Sequence, residues 1–429
     1  MLDCRRETLP NGLRVIYVRM PSFHSAIAIA YLRMGPRFET PEQNGLSHFV
    51  EHVLFKGTRR FPDPAAVSRE MDAYGIELNG ATMPEYTEIV AGSHARHFRH
   101  ALELLAEILL HPRFAPEHME VERRVVLEEM SQYRDMAGEG ASIDELCNEL
   151  MWPHEGYRFS CLGAEDRVAR FTREDVEAHY RRFLTAGNVV LCVAGNFSER
   201  DVADALGPVF DGLRTGETAV CRELNGPQAS ARRLFRSAPT QLTHVKLCHK
   251  ACSYHDPQVY PILLISDILG GGVTSRLFAR LREREGLVYD ISSGTTLFAD
   301  CGWVDVATTT HRRKLADTVE ATLEEIRRLA DEGVAESQLE CVKERVACGM
   351  EILEDSPADA AEWLGAREVL LAPAKPVTPT DEAERLKAVT ADDIRRVAQQ
   401  VFQPSRRSLV VVGPTSWIQR RRIGRAVAR

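Results

Sequence analysis

Two short stretches near the start of the chain read as strands. Leu13-Arg14-Val15-Ile16-Tyr17-Val18 and Ser25-Ala26-Ile27-Ala28-Ile29-Ala30-Tyr31-Leu32 are largely apolar, are bounded by turn residues and are expected to form half-buried strands. Further on a helical period sets in. From His100 to Leu110 the apolar residues recur three and four apart, which predicts an amphipathic helix. Two other runs are apolar almost without interruption, Asn188 to Gly195 and Ser408 to Gly413, as expected of strands buried on both faces. Strands and helices mix without regular alternation, so the pattern predicts an α+β layer structure.

The elements repeat. Phe171-Thr172-Arg173-Glu174-Asp175-Val176 matches Val389-Thr390-Ala391-Asp392-Asp393-Ile394 at an offset of 218 residues. In each, Thr can cap a helix and Asp follows three positions later, a variant of the capping box. Each of these helices leads into one of the apolar runs. Ala115 to Glu120 resembles Ala335 to Glu340 at an offset of 220, and His52 to Gly57 lies against Asp267 to Gly272 at an offset of 215. Four weak matches at nearly one spacing point to two copies of one domain. We expect one domain over residues 1–212, a linker over 213–233 and a second domain over 234–429. The linker is polar, rich in Gly, Ala and Ser, and aperiodic.

Composition narrows the setting. The 54 Lys and Arg against 62 Asp and Glu give a net charge of −8, which argues against a nucleic-acid partner held by overall charge. No stretch approaches the roughly 18 consecutive apolar residues of a membrane span, so no membrane insertion is expected. The first residues mix both charges and lack the apolar core of a signal peptide. Ten scattered cysteines in such a chain read as reduced thiols of a cytoplasmic protein. Cys248 and Cys252 flank His249 but lie in an apparent strand without a second ligand pair, which disfavours a metal site. The basic stretch Arg420 to Arg425 reads as a solvated terminus.

The sharpest chemistry lies in Gly45-Leu46-Ser47-His48-Phe49-Val50-Glu51-His52-Val53-Leu54-Phe55. On a helix His48 and His52, four apart, project from one face, with Glu51 beside them. Two neutral imidazoles and one carboxylate suit zinc and leave a position for water, whose proton Glu51 can accept. This H-x-x-E-H order is the inverzincin signature. A third ligand is available in Glu122-Arg123-Arg124-Val125-Val126-Leu127-Glu128-Glu129, where Glu122 and Glu129 are seven apart and share a helix face.

With these two segments the chain resembles the insulinase-like (pitrilysin, M16) metallopeptidases, especially the short subfamily around mitochondrial processing peptidase and its bacterial relatives. The 76 residues between His52 and Glu129 match the family spacing to a glutamate in an E-R-x-V-V-x-x-E helix. The resemblance implies two homologous domains, each a mainly antiparallel sheet covered by helices, the insulinase-like or LuxS-metallopeptidase-like fold. It implies one Zn2+ per chain held by His48, His52 and Glu129, Glu51 as general base, and Glu122 as the carboxylate that orients a ligand histidine. Glu128 is expected to be solvated. Asn79-Gly80-Ala81-Thr82-Met83-Pro84-Glu85-Tyr86-Thr87 looks like the family's edge strand, which takes a peptide substrate as an added strand. Here Gly80 stands where Ala is usual, and Pro84 could shorten the pairing surface.

In the second copy Ser275 to Tyr289 resembles the family's Arg/Tyr segment, implying that Arg282 and Tyr289 hold the substrate carbonyl and stabilise the oxyanion. On composition alone this is a helix with a solvated charge run. The Gly270-Gly271-Gly272 run lacks the Lys and Ser/Thr of a phosphate loop and reads as a turn. At the repeat offsets His48, Glu51, His52 and Glu129 fall on Leu263, Ser266, Asp267 and Gly349, so the second copy cannot bind zinc in the same way. The expected activity is therefore a zinc endopeptidase that cleaves extended peptides or presequence-like segments. The family's two-subunit clamshell implies a chamber shared by two chains, in the simplest case a homodimer. A heterodimer with a homologous subunit, a dedicated leader or processing peptidase, and a non-catalytic subunit resembling the core proteins of the cytochrome bc1 complex are the rival expectations.

Overall fold

The computed structural model describes residues 2–137, 142–152, 156–210, 212–221 and 228–429, so part of the expected linker, 222–227, lies outside the described residues. The first half of the chain supplies strands β1 (Asp3–Thr8), β2 (Arg14–Arg19), β3 (Ser25–Leu32), β4 (Glu77–Thr82), β5 (Thr87–His94) and β6 (Val189–Gly195). Its helices include α1 (Leu46–Leu54), α2 (Pro64–Tyr74), α3 (Phe98–Leu110), α4 (Pro116–Ala137) and α5 (Ile143–Met151). The second half supplies β7 (Arg232–Arg236), β8 (Leu242–Ala251), β9 (Val288–Leu297), β10 (Gly302–His311) and β11 (Arg407–Val412). The expected strands and helices form, with the α3 stripe beginning at Phe98 rather than His100, but β2 and β3 are buried at most positions rather than half-buried, because both faces of their sheet are covered. No helix among the described residues is long and apolar enough to cross a membrane.

Two compact units form. One comprises residues 1–131, 159–222 and 349–382, the other residues 132–158, 223–348 and 383–429. In the first, a six-stranded sheet runs β1-β2-β6-β3-β5-β4, antiparallel except for the β2–β6 pair. One face packs under α1 and α3 in a core that includes Ile89, Ala91, Leu102 and Leu105. The other face is covered by the helix Pro357–Leu371, contributed by the second half of the chain. All seven residues of β6 are buried, which explains the apolar run read from the sequence. Gly365 makes the close approach of that helix feasible: a Cβ there would lie 2.0 Å from the Tyr31 ring on β3. Its buried Glu368 carboxylate is held by Arg14 at 2.9 Å and Arg6 at 3.3 Å, so the charge is compensated.

The other unit is a five-stranded sheet in the order β7-β11-β8-β10-β9, again with one parallel pair. Here α5, from the first half of the chain, packs on β11 and β8. The duplication is explicit in the register. Arg14 pairs with Val190 between β2 and β6, and Arg232 pairs with Ser408 between β7 and β11, both partners displaced by 218. Both expected capping boxes form: Thr172 and Thr390 each accept from the amide three residues on, at 3.2 Å, and Asp175 and Asp393 reciprocate. Cys248 and His249 are buried in β8, where His249 meets Arg407 at 3.2 Å. The ten cysteines, all among the described residues, form no disulfide.

Candidate metal centre

Helix α1 is amphipathic in a specific sense. Leu46, Phe49, Val50, Val53 and Leu54 are buried in the core and fix its roll. That roll leaves His48, Glu51, His52 and Phe55 on the face toward β4 and α4. The N-terminus of α1 is held by Glu39, which the sequence reading missed. Its carboxylate accepts from the Gly45 amide at 2.9 Å and the Ser47 amide at 2.7 Å, satisfying donors that a helix start leaves free. Burial pushes the Glu39 carboxyl up, opposed by these hydrogen bonds. Ser47 Oγ in turn lies 2.9 Å from His179 Nε2. No local spacing marks Glu39, because its role depends on a loop turning back toward the helix.

Helix α4 crosses α1 and is tied to its surroundings by Arg123, which donates to the carbonyls of Val168 and Phe171 and covers the Phe49 ring. This crossing separates the positions of the two glutamates. Glu129 Oε2 lies 3.8 Å from His48 Nε2 and 3.6 Å from His52 Nε2, and the two imidazole nitrogens are 3.2 Å apart. Glu122 lies behind His52: its Oε2 is 3.2 Å from Nδ1 and its Oε1 is 3.0 Å from Lys56 Nζ. Glu128 is exposed.

These three separations fit a metal better than hydrogen bonding. Tetrahedral zinc with ligand bonds of about 2.0–2.1 Å has ligand–ligand edges of about 3.3–3.4 Å. Only one of the two facing imidazole nitrogens can donate to the other, and both carboxylate distances exceed a hydrogen bond. Among the described residues, His48, His52 and Glu129 form the only cluster of this kind. Burial, reinforced by His52, depresses His48 to about 3, so its lone pair is available at neutral pH. At His52 burial opposes the cation, but the Glu122 hydrogen bond and nearby carboxylates outweigh it and raise the pKa. Burial also disfavours charge on Glu122, but the hydrogen bonds from His52 and Lys56 leave its pKa lowered. A histidine anchored through Nδ1 by an ionised carboxylate presents Nε2 in a fixed direction.

Glu51 sits beside this cluster, mostly buried, and burial raises its carboxyl above the usual range. Thr82 Oγ1 donates to Glu51 Oε2 at 3.0 Å. Gly80 lies on the same strand, and a Cβ there would come within 3.0 Å of Glu51 Oε1 and of the Phe55 ring. The absence of a side chain at Gly80 therefore leaves the carboxylate room on one side while Thr82 grips it on the other. The strand carrying both, β4, pairs among the described residues only with β5, which leaves its other edge open there. Asn79, Gly80 and Ala81 all lie on it, and the exposed Asn79 side chain accepts from the Gly80 amide at 2.9 Å. Pro84 falls in the turn after the strand, between Thr82 and Thr87, and takes nothing from its edge.

Arg282 and Tyr289 lie in the other unit and are brought together there. Arg282 belongs to a π-helical turn, Phe278–Arg284, and its guanidinium is 4.5 Å from the Phe278 ring centre and 5.1 Å from that of Tyr289. Tyr289 is 82% exposed on β9, an edge strand. The widened turn was not legible as a departure from an ordinary helix. At the repeated position of His52, Asp267 forms an ion pair with Arg345 at 2.9 Å, and Ser266, at that of Glu51, meets Ser293 at 3.1 Å.

Comparison with known proteins agrees with this division. Residues 14–158 match the model described as insulinase (peptidase family M16), and residues 170–346 match the peptidase M16 inactive domain. The metal-site residues all fall in the first match. An uncharacterized zinc protease of Streptomyces coelicolor is 30% identical over 433 residues, covering 99% of this chain and 92% of that protein. The uncharacterized zinc protease YmxG of Bacillus subtilis is 28% identical, covering 93% of this chain and 95% of its own length. Two crystal structures share the fold. One, described as a peptidase M16 inactive domain from Pseudomonas fluorescens, has a TM-score of 0.88 at 19% identity, covering 97% of this chain and 99% of that one. The other, a protease from Helicobacter pylori, has a TM-score of 0.86 at 18% identity, covering 96% of this chain and 100% of that one.

Proposed function

The chain belongs to the insulinase family of peptidases, M16, and from that premise we propose that it is a zinc-dependent endopeptidase cleaving extended peptides. The observation that carries this reading is the convergence of His48, His52 and Glu129 beside the half-shielded Glu51 carboxylate. Zinc held by those three would supply Lewis acidity toward the scissile carbonyl and lower the pKa of a water. Glu51 accepts the proton of the attacking water and later delivers it to the leaving amine. Its raised pKa suits both halves of that exchange, since a base that is too acidic returns no proton. Glu122 fixes the His52 ring, and Thr82 fixes the Glu51 carboxylate. The open edge of β4 offers main-chain hydrogen bonds to a peptide lying as an added strand, which favours extended substrates over folded ones.

In this reading the domain of residues 1–212 holds the metal, and that of residues 234–429 contributes Arg282 and Tyr289 to the substrate carbonyl. The two chains of a homodimer enclose the chamber, and each supplies its Arg/Tyr pair to the other's metal. Ten cysteines without a disulfide fit a reducing compartment, and we place the enzyme in the cytoplasm. The test is cleavage of a diverse peptide library together with a zinc assay. The expected result is about one zinc per chain, loss of cleavage on chelation and recovery on adding zinc. A well-folded preparation that takes up no zinc would sink the enzyme reading.

A second experiment addresses the assembly. E51Q chains and R282A/Y289A chains are each expected to be nearly inactive, and mixing them should restore activity at the mixed dimer's intact site. Failure of the mixture, with subunit exchange verified by size, overturns the trans arrangement and leaves the zinc chemistry standing.

A further inference from the structure

We propose that the helix Trp417–Val427 docks this protein onto the surface of an anionic phospholipid bilayer. The basic stretch that reads from sequence as a solvated terminus is a well-formed helix. Ser416 and Gln419 form a capping box at its start, and Ile423, Gly424 and Val427 are buried against the rest of its unit. The roll set by those contacts turns one face outward. Trp417, Arg421 and Arg425 follow at four-residue intervals along it, and Ile418 and Arg429 lie on the same side.

This outward face is unusual in two respects. Trp417 and Ile418 are each 70% exposed and adjacent, so the largest side chain on the helix and one of its two isoleucines lie outside the core. The rest of the face is arginine. The acidic groups beside it are already engaged: Glu320 and Asp317 share Arg422, and Glu324 pairs with Arg280. Arg327, Arg421, Arg425 and Arg429 therefore give the patch a net positive charge. Arg421 lies 5.5 Å from the Trp417 ring centre, so the basic and aromatic parts form one surface.

A bilayer interface matches this pattern better than other anionic partners. Indole partitions to the headgroup level, isoleucine enters the acyl boundary, and arginines alongside face the phosphates. The face runs about 15 Å along the helix from Trp417 to Val427, with Arg429 just beyond its end, enough to meet several headgroups at once without any shaped pocket. A single-stranded nucleic acid would use the indole for stacking but gains nothing from Ile418. The net charge of −8 opposes approach to any polyanion, but at physiological salt that repulsion is screened within about 8 Å, and the contact patch decides. Two apolar side chains and a few arginines make this attachment reversible.

The test is co-sedimentation of the full chain with unilamellar vesicles, of phosphatidylcholine alone and with about one third phosphatidylserine. Binding should be at least tenfold greater on the anionic vesicles at low salt and should fall toward the neutral level in 0.5 M salt, as screening requires. R421A/R425A/R429A should abolish the preference. W417A/I418A should weaken binding about tenfold, and W417F should remove a blue shift of tryptophan emission seen with wild type. These exposed positions should leave the melting temperature and peptide cleavage in solution unchanged. Equal binding to both vesicle types, or indifference to the arginine substitutions, overturns the proposal. So does tighter binding to a single-stranded oligonucleotide, or self-association lost in W417A/I418A without vesicle binding.

Discussion

Glu51→Gln is expected to lower kcat by about a thousandfold, the loss typical of removing a general base, with zinc content unchanged. The amide keeps the size and the polar edge facing Thr82 but accepts no proton at neutral pH. A thousandfold corresponds to about 4 kcal/mol of transition-state stabilisation. Because Glu51 is not among the converging ligands, the metal should remain. Thr82→Val is the graded companion. Losing the 3.0 Å hydrogen bond to Oε2 frees the carboxylate to rotate, and about tenfold in kcat is expected, close to the lower value of a hydrogen bond to a charged group. Thr82→Ser should recover most of it with little change in KM. Activity within tenfold of wild type in zinc-replete E51Q would exclude Glu51 as the base.

The second large effect concerns the metal. Substituting His48, His52 or Glu129 by Ala should strip zinc on dialysis against a mild competitor, and Glu122→Gln should weaken zinc affinity only by about 10–100-fold, as loss of an outer partner does. Glu128→Ala is the control, since that side chain is exposed one position away. Fold should survive all of these, because α1 is held by its buried face and by Glu39 rather than by the histidines. Zinc content measured against melting temperature separates the two effects. If E128A loses zinc as readily as E129A, the ligand assignment is wrong.

These expectations rest unequally on sequence and on structure. The pairing of His48 with His52 was legible because an α-helix converts a four-residue spacing into one face, whatever surrounds it. The capping boxes at Thr172 and Thr390 were legible for the same reason: a side chain reaching an amide three residues on is a local event. The β6 run could be recognised as a doubly covered strand, but not that its second cover is the helix Pro357–Leu371. That helix arrives after more than 160 residues of intervening chain, and only Gly365 hints at a close approach. Glu39, Thr82 and Gly80 were silent as partners of α1 because each reaches the metal helix across a turn or a sheet edge.

By itself, the sequence determined what adjacent turns of chain determine: the shared helix face of His48 and His52, the duplication and its offset, the buried runs, and that the second copy lacks the His/His/Glu set. It narrowed the third ligand on physical grounds to a helix face shared by Glu122 and Glu129. The tertiary structure places the two carboxylates differently. The crossing of α4 over α1 puts Glu129 within 3.8 Å of both Nε2 atoms and Glu122 behind the ring, against Nδ1 and Lys56. Two carboxylates on one helix face are equivalent to a local pattern. Their surroundings differ only once packing fixes where the second helix crosses, and that crossing is set by side chains far apart in the chain.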